Sequence, residues 1–215
     1  MSAAALAVGA IAGAFIFGIK DKSAFDSRSI ALAGVCVATS FVLSYVKLWR
    51  MPQAGSVTFV SMLPIMLYAY IYGTKKGVLV GFIYGVMQAM QDPWIIHPAQ
   101  FFLYYPIAYA MVGFTGIFSG IKALKFPQVR FGLGAILAGS LRFLSHVLAG
   151  VYAFGADAVA NGYKGVGEFW IYSTAYNSYI FVDVALVIVA GVVLLSSRAF
   201  VKQIESYRQP IANEK

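Results

Sequence analysis

The chain has 215 residues, of which 60% are hydrophobic and 11% charged, and a mean hydropathy of +0.78. That leaves too little polar surface to cover a soluble globule, so the chain reads as an integral membrane protein. A net charge of +8 would point to nucleic acid in a soluble protein, but there is no basic helix or aromatic-basic repeat here, and membrane topology accounts for the charge better.

Seven apolar stretches stand near the roughly 20 residues that a helix needs to cross the hydrocarbon of a bilayer. They are residues 3 to 19, 29 to 48, 56 to 72, 74 to 91, 99 to 121, 131 to 152 and 169 to 197. The first has no basic residues before it and Lys20, Lys22 and Arg28 after it, so it reads as a retained helix rather than a cleaved signal. The third and fourth are separated by Gly73-Thr74-Lys75-Lys76, a turn at the membrane edge.

Charge sets the orientation. Lys20, Lys22, Arg28, Lys75, Lys76, Lys122, Lys125, Arg130, Arg198, Lys202, Arg208 and Lys215 fall on one side, and Lys47, Arg50 and Lys164 on the other. By the positive-inside rule the first group is cytoplasmic, which puts the N-terminus outside and the C-terminus inside. The outer loops then span residues 49 to 56, 92 to 98 and 153 to 168, with Trp49, Asp92, Trp94, His97, Asp157 and Glu168 in or beside them.

Small residues recur at four-residue spacing in Gly9/Gly13, Gly34/Ala38, Gly77/Gly81/Gly85 and Gly116/Gly120, which reads chiefly as helix packing within the chain. Pro64 and Pro106 lie within apolar stretches, and each is expected to bend its helix.

Arg142 and His146 stand four apart inside an apolar span, hence on one helix face. An ionisable residue at membrane depth costs roughly 2.5 to 3.5 kcal/mol and is kept for a partner or a ligand. Arg142 is about twelve residues from the cytoplasmic end of its span, roughly 18 Å, too deep for easy snorkelling. Asp183, at similar depth in the last span, is its expected partner, as a structural brace or as part of a site.

His97 sits in a loop stiffened by Pro93 and Pro98. Two histidines and one cysteine, Cys36, offer no disulfide and no metal-ligand spacing, so neither a metal nor a cofactor is expected. No phosphate loop, nucleophile elbow or paired-carboxylate motif argues for an enzyme. Tyr104, Tyr105, Tyr172 and Asn177 place aromatics and an amide near outer span ends, and with Phe154 they suit a pocket for a flat heterocycle.

From about Ile30 onward the chain resembles the thiamin-specific S-component (ThiT family) of energy-coupling factor (ECF) vitamin transporters. The resemblance rests on residues 51 to 58, on Ser61-Met62-Leu63-Pro64-Ile65 and on residues 92 to 98 with Gln100. It continues through Tyr105-Pro106, Arg142 to His146, Tyr172-Ser173 and Tyr176-Asn177. It implies an all-α membrane protein with a six-helix S-component core over residues 29–198, to which this chain adds an N-terminal transmembrane helix (1–22) and a cytoplasmic tail (199–215). It also implies a vitamin bound from outside, and as partners a transmembrane coupling subunit, two ATPase subunits and membrane lipid, with no nucleic acid.

The family's binding positions match His146, Tyr172 and Asn177 as they stand, with Tyr105 as the aromatic of an acidic-Tyr pair. Tyr104 replaces the carboxylate of that pair, Arg142-Phe143 replaces Lys-Tyr, and Phe154 replaces Trp. Thiamin or a related heterocycle, such as a pyrimidine precursor, is the expected ligand. Trp49 and His97 join the candidate ligand contacts from the outer loops, and Gly34 and Ala38 stand where the family contacts its coupling subunit. The alternative is a stand-alone proton-coupled carrier using Arg142 and Asp183. A retinal photoreceptor is excluded by the lack of a lysine in the last span.

Overall fold

Asp26 starts the first helix by accepting a hydrogen bond from the Ser29 backbone N–H at 3.3 Å, which satisfies one of the orphan donors of the first turn. The helix it caps, α1 (Ser27–Ser44), buries only Ser29, Cys36, Ser40 and Ser44, while Ile30, Val35 and Val42 on the other side are exposed. Small residues let this helix lie close to its neighbours, and its bulky side chains point away from the rest of the bundle. The computed structural model describes residues 25–53, 55–91, 93–121 and 123–213, with side chains as far as Arg208. The N-terminal helix expected over residues 3 to 19 lies outside them.

The chain then forms a two-stranded antiparallel hairpin, β1 (Lys47–Arg50) and β2 (Ser56–Thr58), in which Trp49 pairs with Val57 and Arg50 with Ser56. This is a small addition to an otherwise helical fold. It also corrects the expected third span. Residues 56 to 62 are strand and turn, with Val60 at φ 48°, and helix α2 runs only from Leu63 to Tyr72. Ten residues rise about 15 Å, half a bilayer core. Pro64 sits in the first turn of α2, where a missing N–H costs nothing, so it produces no bend.

Gly73, at φ 88°, makes the reversal into α3 (Thr74–Gln91). The glycine stripe of α3 packs inside the chain, as expected. A Cβ on Gly77 would meet Ala69 and Gly113, on Gly81 the Tyr109 carbonyl, and on Gly85 the backbone of Tyr105 and Pro106. In the second stripe Gly116 packs against Ala69 and the Gly73–Thr74 backbone, whereas Gly120 is open.

Pro106 does break its span. α4 (Pro98–Tyr104) and α5 (Pro106–Val112) meet at Tyr105, whose φ of −111° and ψ of −83° are not helical, and a 3-10 turn follows over Gly113–Phe118. Next come the long α6 (Pro127–Ala153), the short α7 (Gly155–Ala160), and α8 (Val166–Asn177), which runs almost straight into α9 (Tyr179–Ser196). Among the described residues four helical runs are long and apolar enough to cross a membrane: Ser27–Ser44, Pro98–Phe118, Pro127–Ala153 and Val166–Ser196.

The segment expected as a tail forms a further helix, α10 (Arg198–Asn213). It buries Ile204, donates from the Arg208 guanidinium to the Tyr70 carbonyl at the end of α2, and sets Tyr207 under the Arg28 guanidinium. Lys76 lies at the same end, 3.7 Å from Asp26 and 3.4 Å from Ser29. The hairpin and the last turns of α1 and α3 lie at the opposite end, and that end holds the site.

Candidate ligand-binding site

Four walls enclose a cavity of about 50 Å3. Ser44 of α1 with Gln88 and Gln91 of α3 form one, and the hairpin residues Lys47, Ser56 and Thr58 a second. Tyr104, Tyr105 and Tyr109 come from the broken α4–α5 span, and Arg142, His146, Tyr179 and Asp183 from α6 and α9. The break at Tyr105 matters here, because a continuous helix would not turn two successive tyrosines toward the same space.

His146 and Tyr104 form the core of the site. Their rings are 4.0 Å apart and inclined at 49°, and Phe154 packs edge-on against Tyr104 at 6.3 Å. All three are buried. Neither ring nitrogen of His146, nor the Tyr104 hydroxyl, makes a hydrogen bond of normal geometry within the chain. A buried polar group without a partner costs about 1 to 3 kcal/mol, so groups of this kind are kept for a ligand or ordered water.

Asn177 lies just behind His146. Its amide nitrogen donates to the Ser173 carbonyl at 2.8 Å and reaches the His146 carbonyl at 3.5 Å, while its side-chain oxygen makes no hydrogen bond of normal geometry. Gly150 makes room for this arrangement, since a Cβ there would strike the Ser173 hydroxyl. Tyr172 stacks on Tyr176 at 6.4 Å along the outer side of α8. Thus Tyr104, Tyr105, Arg142 and His146 line the cavity, and Phe154 and Asn177 back the first of these and His146.

Arg142 finds the partner expected for it. Its Nη1 is 3.3 Å from Asp183 Oδ2 and 3.2 Å from the Met62 sulfur, its Nη2 donates to the Tyr109 hydroxyl at 3.4 Å, and it lies over the Tyr109 ring. The other carboxylate oxygen of Asp183 accepts from both the backbone N–H and the hydroxyl of Thr58, each at 3.1 Å. Asp183 therefore ties β2 to α9. Tyr176 makes a second tie by donating its hydroxyl to the Pro52 carbonyl at the hairpin tip.

Three candidates stand apart from the cavity lining: Tyr172, Trp49 and His97. Trp49 is 67% exposed on β1. The His97 ring accepts from the Ala99 N–H at 3.1 Å and so caps α4. The same loop is pinned by Gln100, which donates to the Trp94 carbonyl at 2.7 Å, and by the Tyr105 hydroxyl, which accepts from the Trp94 N–H at 3.0 Å. Among the described residues no group of three or more His, Cys, Asp or Glu is placed to hold a metal.

The sequence reading missed the α1/α3 wall and Tyr109, Tyr179 and Thr58. A signal was present for the first: Tyr84, Gln88 and Gln91 are polar-tipped residues spaced by four and three on one face of an otherwise apolar helix.

Comparison with known proteins bears on what this cavity serves. Residues 30–203 match the family described as Thiamine transporter protein. The thiamine transporter ThiT of Bacillus subtilis is 35% identical over 136 residues, covering 60% of this chain and 68% of the relative. ThiT of Lacticaseibacillus paracasei is 26% identical over 178 residues, covering 74% and 83%. The solved structure of ThiT from Listeria monocytogenes superposes with a TM-score of 0.66 at 22% identity, over 80% of this chain and 94% of that one, a likeness of fold. By the extent of the family match, the chain belongs to the thiamine transporter protein family.

Proposed function

We propose that this chain is the substrate-binding membrane subunit, or S-component, of an energy-coupling factor importer, and that it takes thiamin or a closely related heterocycle from the outer side. The supporting observation is the pairing of buried aromatic rings with uncommitted polar atoms at one cavity. His146 supplies a donor and an acceptor, Tyr104 a hydroxyl, and Tyr104 and Phe154 the apolar faces. A flat amino-heterocycle fits that chemistry. Tyr172 and Asn177 complete the ligand shell from α8, Tyr105 and Arg142 from the cavity wall, and Trp49 and His97 flank the way in. Relatives bearing the name thiamine transporter support the ligand assignment.

A cavity of about 50 Å3 is a third of the roughly 150 Å3 that holds one benzene ring. Admitting a two-ring solute therefore requires the cavity walls to move apart. The basic residues Arg28, Lys75, Lys76 and Arg208 gather at the opposite end, beside α10, which supports a cytoplasmic α10 and an outward-facing cavity in a bacterial cell membrane. The chain holds no nucleotide motif, so ATP hydrolysis belongs to partner ATPase subunits. The α1 face bearing Gly34 and Ala38, both exposed, is the contact for the transmembrane coupling subunit. Residues 29–198 form the binding unit.

Calorimetric titration of the detergent-purified protein with thiamin, its pyrimidine half and its thiazole half tests the assignment. Trp49, Trp94 and Trp170 are all exposed, so heat is a better signal than tryptophan fluorescence. Saturable heat with thiamin is expected, and no heat with any of the three would overturn it. Accumulation of thiamin by the purified protein in ATP-free vesicles under a proton gradient would instead support a stand-alone carrier, a reading that the fully paired Asp183 disfavours.

A further inference from the structure

The α1/α3 wall of the cavity is a directed hydrogen-bond relay. It begins at the Ser40 carbonyl, which can only accept. The Tyr84 hydroxyl donates to it at 3.2 Å and, having spent its one hydrogen there, can accept from a neighbouring donor on α3. That neighbour is the side-chain nitrogen of Gln88, 3.0 Å away. The same nitrogen donates its second hydrogen to the Ser44 hydroxyl at 2.8 Å. This orientation of the Gln88 amide satisfies the most partners, because turning it over would need both hydroxyls to donate to its oxygen, taking the Tyr84 hydrogen from the Ser40 carbonyl and the Ser44 hydrogen from Gln91.

With both N–H groups committed, the Gln88 side-chain oxygen is left as an acceptor on a residue that lines the cavity. Ser44 in turn donates to the Gln91 side-chain oxygen at 2.7 Å, sharing its hydrogen with the Phe41 carbonyl, and Gln91 also lines the cavity. Tyr84 and Ser40 are almost wholly buried, so the relay rests on the rigid contact between α1 and α3 rather than on solvent.

We infer that Gln88 is a specificity-determining residue, whose side-chain oxygen accepts a hydrogen bond from a hydroxyl group on the ligand, with Tyr84 as the residue that positions it. This rests on the function proposed above and extends it to the side of the cavity facing away from His146. The aromatic wall takes the ring, and the amide wall takes a neutral, donor-bearing tail.

The probes are thiamin and its analogue in which the hydroxyethyl group is an ethyl group, titrated calorimetrically against the wild-type protein, Gln88→Met and Tyr84→Phe. Wild type is expected to prefer thiamin by roughly tenfold, the worth of one buried hydrogen bond. Gln88→Met loses the preference by weakening thiamin alone, and Tyr84→Phe reduces it, because its amide is free to turn over. Equal weakening of both ligands by Gln88→Met, or an unchanged preference, would overturn the inference while leaving the thiamin assignment standing. Failure of the wild type to bind thiamin would remove that assignment, and this inference with it.

Discussion

Arg142 and Asp183 form an ion pair at 3.3 Å between α6 and α9, with 4% and 2% of their side-chain surface exposed. Removing one partner of a buried pair leaves a lone charge and costs about 3 to 5 kcal/mol, whereas replacing both by neutral groups of similar size is often tolerated. Arg142→Ala is therefore expected to lower the melting temperature and the yield in detergent. Arg142→Met combined with Asp183→Asn is expected to recover most of both, since an Asn oxygen still accepts from Thr58. If Arg142→Ala melts like wild type but binds ligand poorly, the arginine serves the ligand and not the fold.

His146 gives the opposite expectation. Its ring nitrogens make no normal hydrogen bond within the chain, so the fold depends on its volume and its contact with Tyr104, not on its polarity. His146→Phe keeps the ring and removes the donor and the acceptor. The melting temperature is expected to stay near that of wild type, and thiamin affinity measured by calorimetry to fall at least roughly tenfold. A large loss of stability without loss of affinity would make His146 a packing residue.

The contrast between these residues explains what the sequence made legible. A charge inside an apolar span needs a partner at its own depth, and Asp183 was the only one near Arg142, so the pair could be read from spacing alone. The Pro106 break followed from a missing N–H. The third apolar stretch misled, because Val57-Thr58-Phe59-Val60 is apolar enough for a span but β-branched enough for a strand, and periodicity does not separate the two in short runs. That the His97 ring caps α4 was not legible either, since only the geometry of Ala99 reveals it. The relay through Tyr84 and Gln88 requires α1 beside α3, which no single-helix pattern encodes.

Asp26 carries a pH dependence at the α10 end of the bundle. The Ser29 hydrogen bond, aided by Lys76 at 3.7 Å, holds its carboxyl below the usual carboxylate range against the opposing effect of burial. A folded-state pKa below the unfolded value of about 3.9 contributes stability that is present above that value and lost as the pH falls through the folded one. Thermal melts of wild type and Asp26→Asn are expected to converge only below about pH 4, since Asn still caps the helix but has no charge to lose. A constant difference down to pH 3 would mean the carboxylate contributes nothing there.

Gly81 and Gly34 look alike in sequence, each within a four-residue stripe of small residues, but their surroundings differ. A Cβ on Gly81 would run into the Tyr109 carbonyl, which is backbone and cannot give way, whereas nothing lies within 4 Å of one on Gly34. Gly81→Ala is expected to destabilise the protein by about 1 to 3 kcal/mol, seen as a lower melting temperature in detergent. Gly34→Trp is expected to leave melting and thiamin binding unchanged while abolishing uptake by the assembled transporter, because the bulky ring would keep the coupling subunit away from α1. Loss of binding together with uptake in Gly34→Trp would place this glycine in the fold instead of the partner contact.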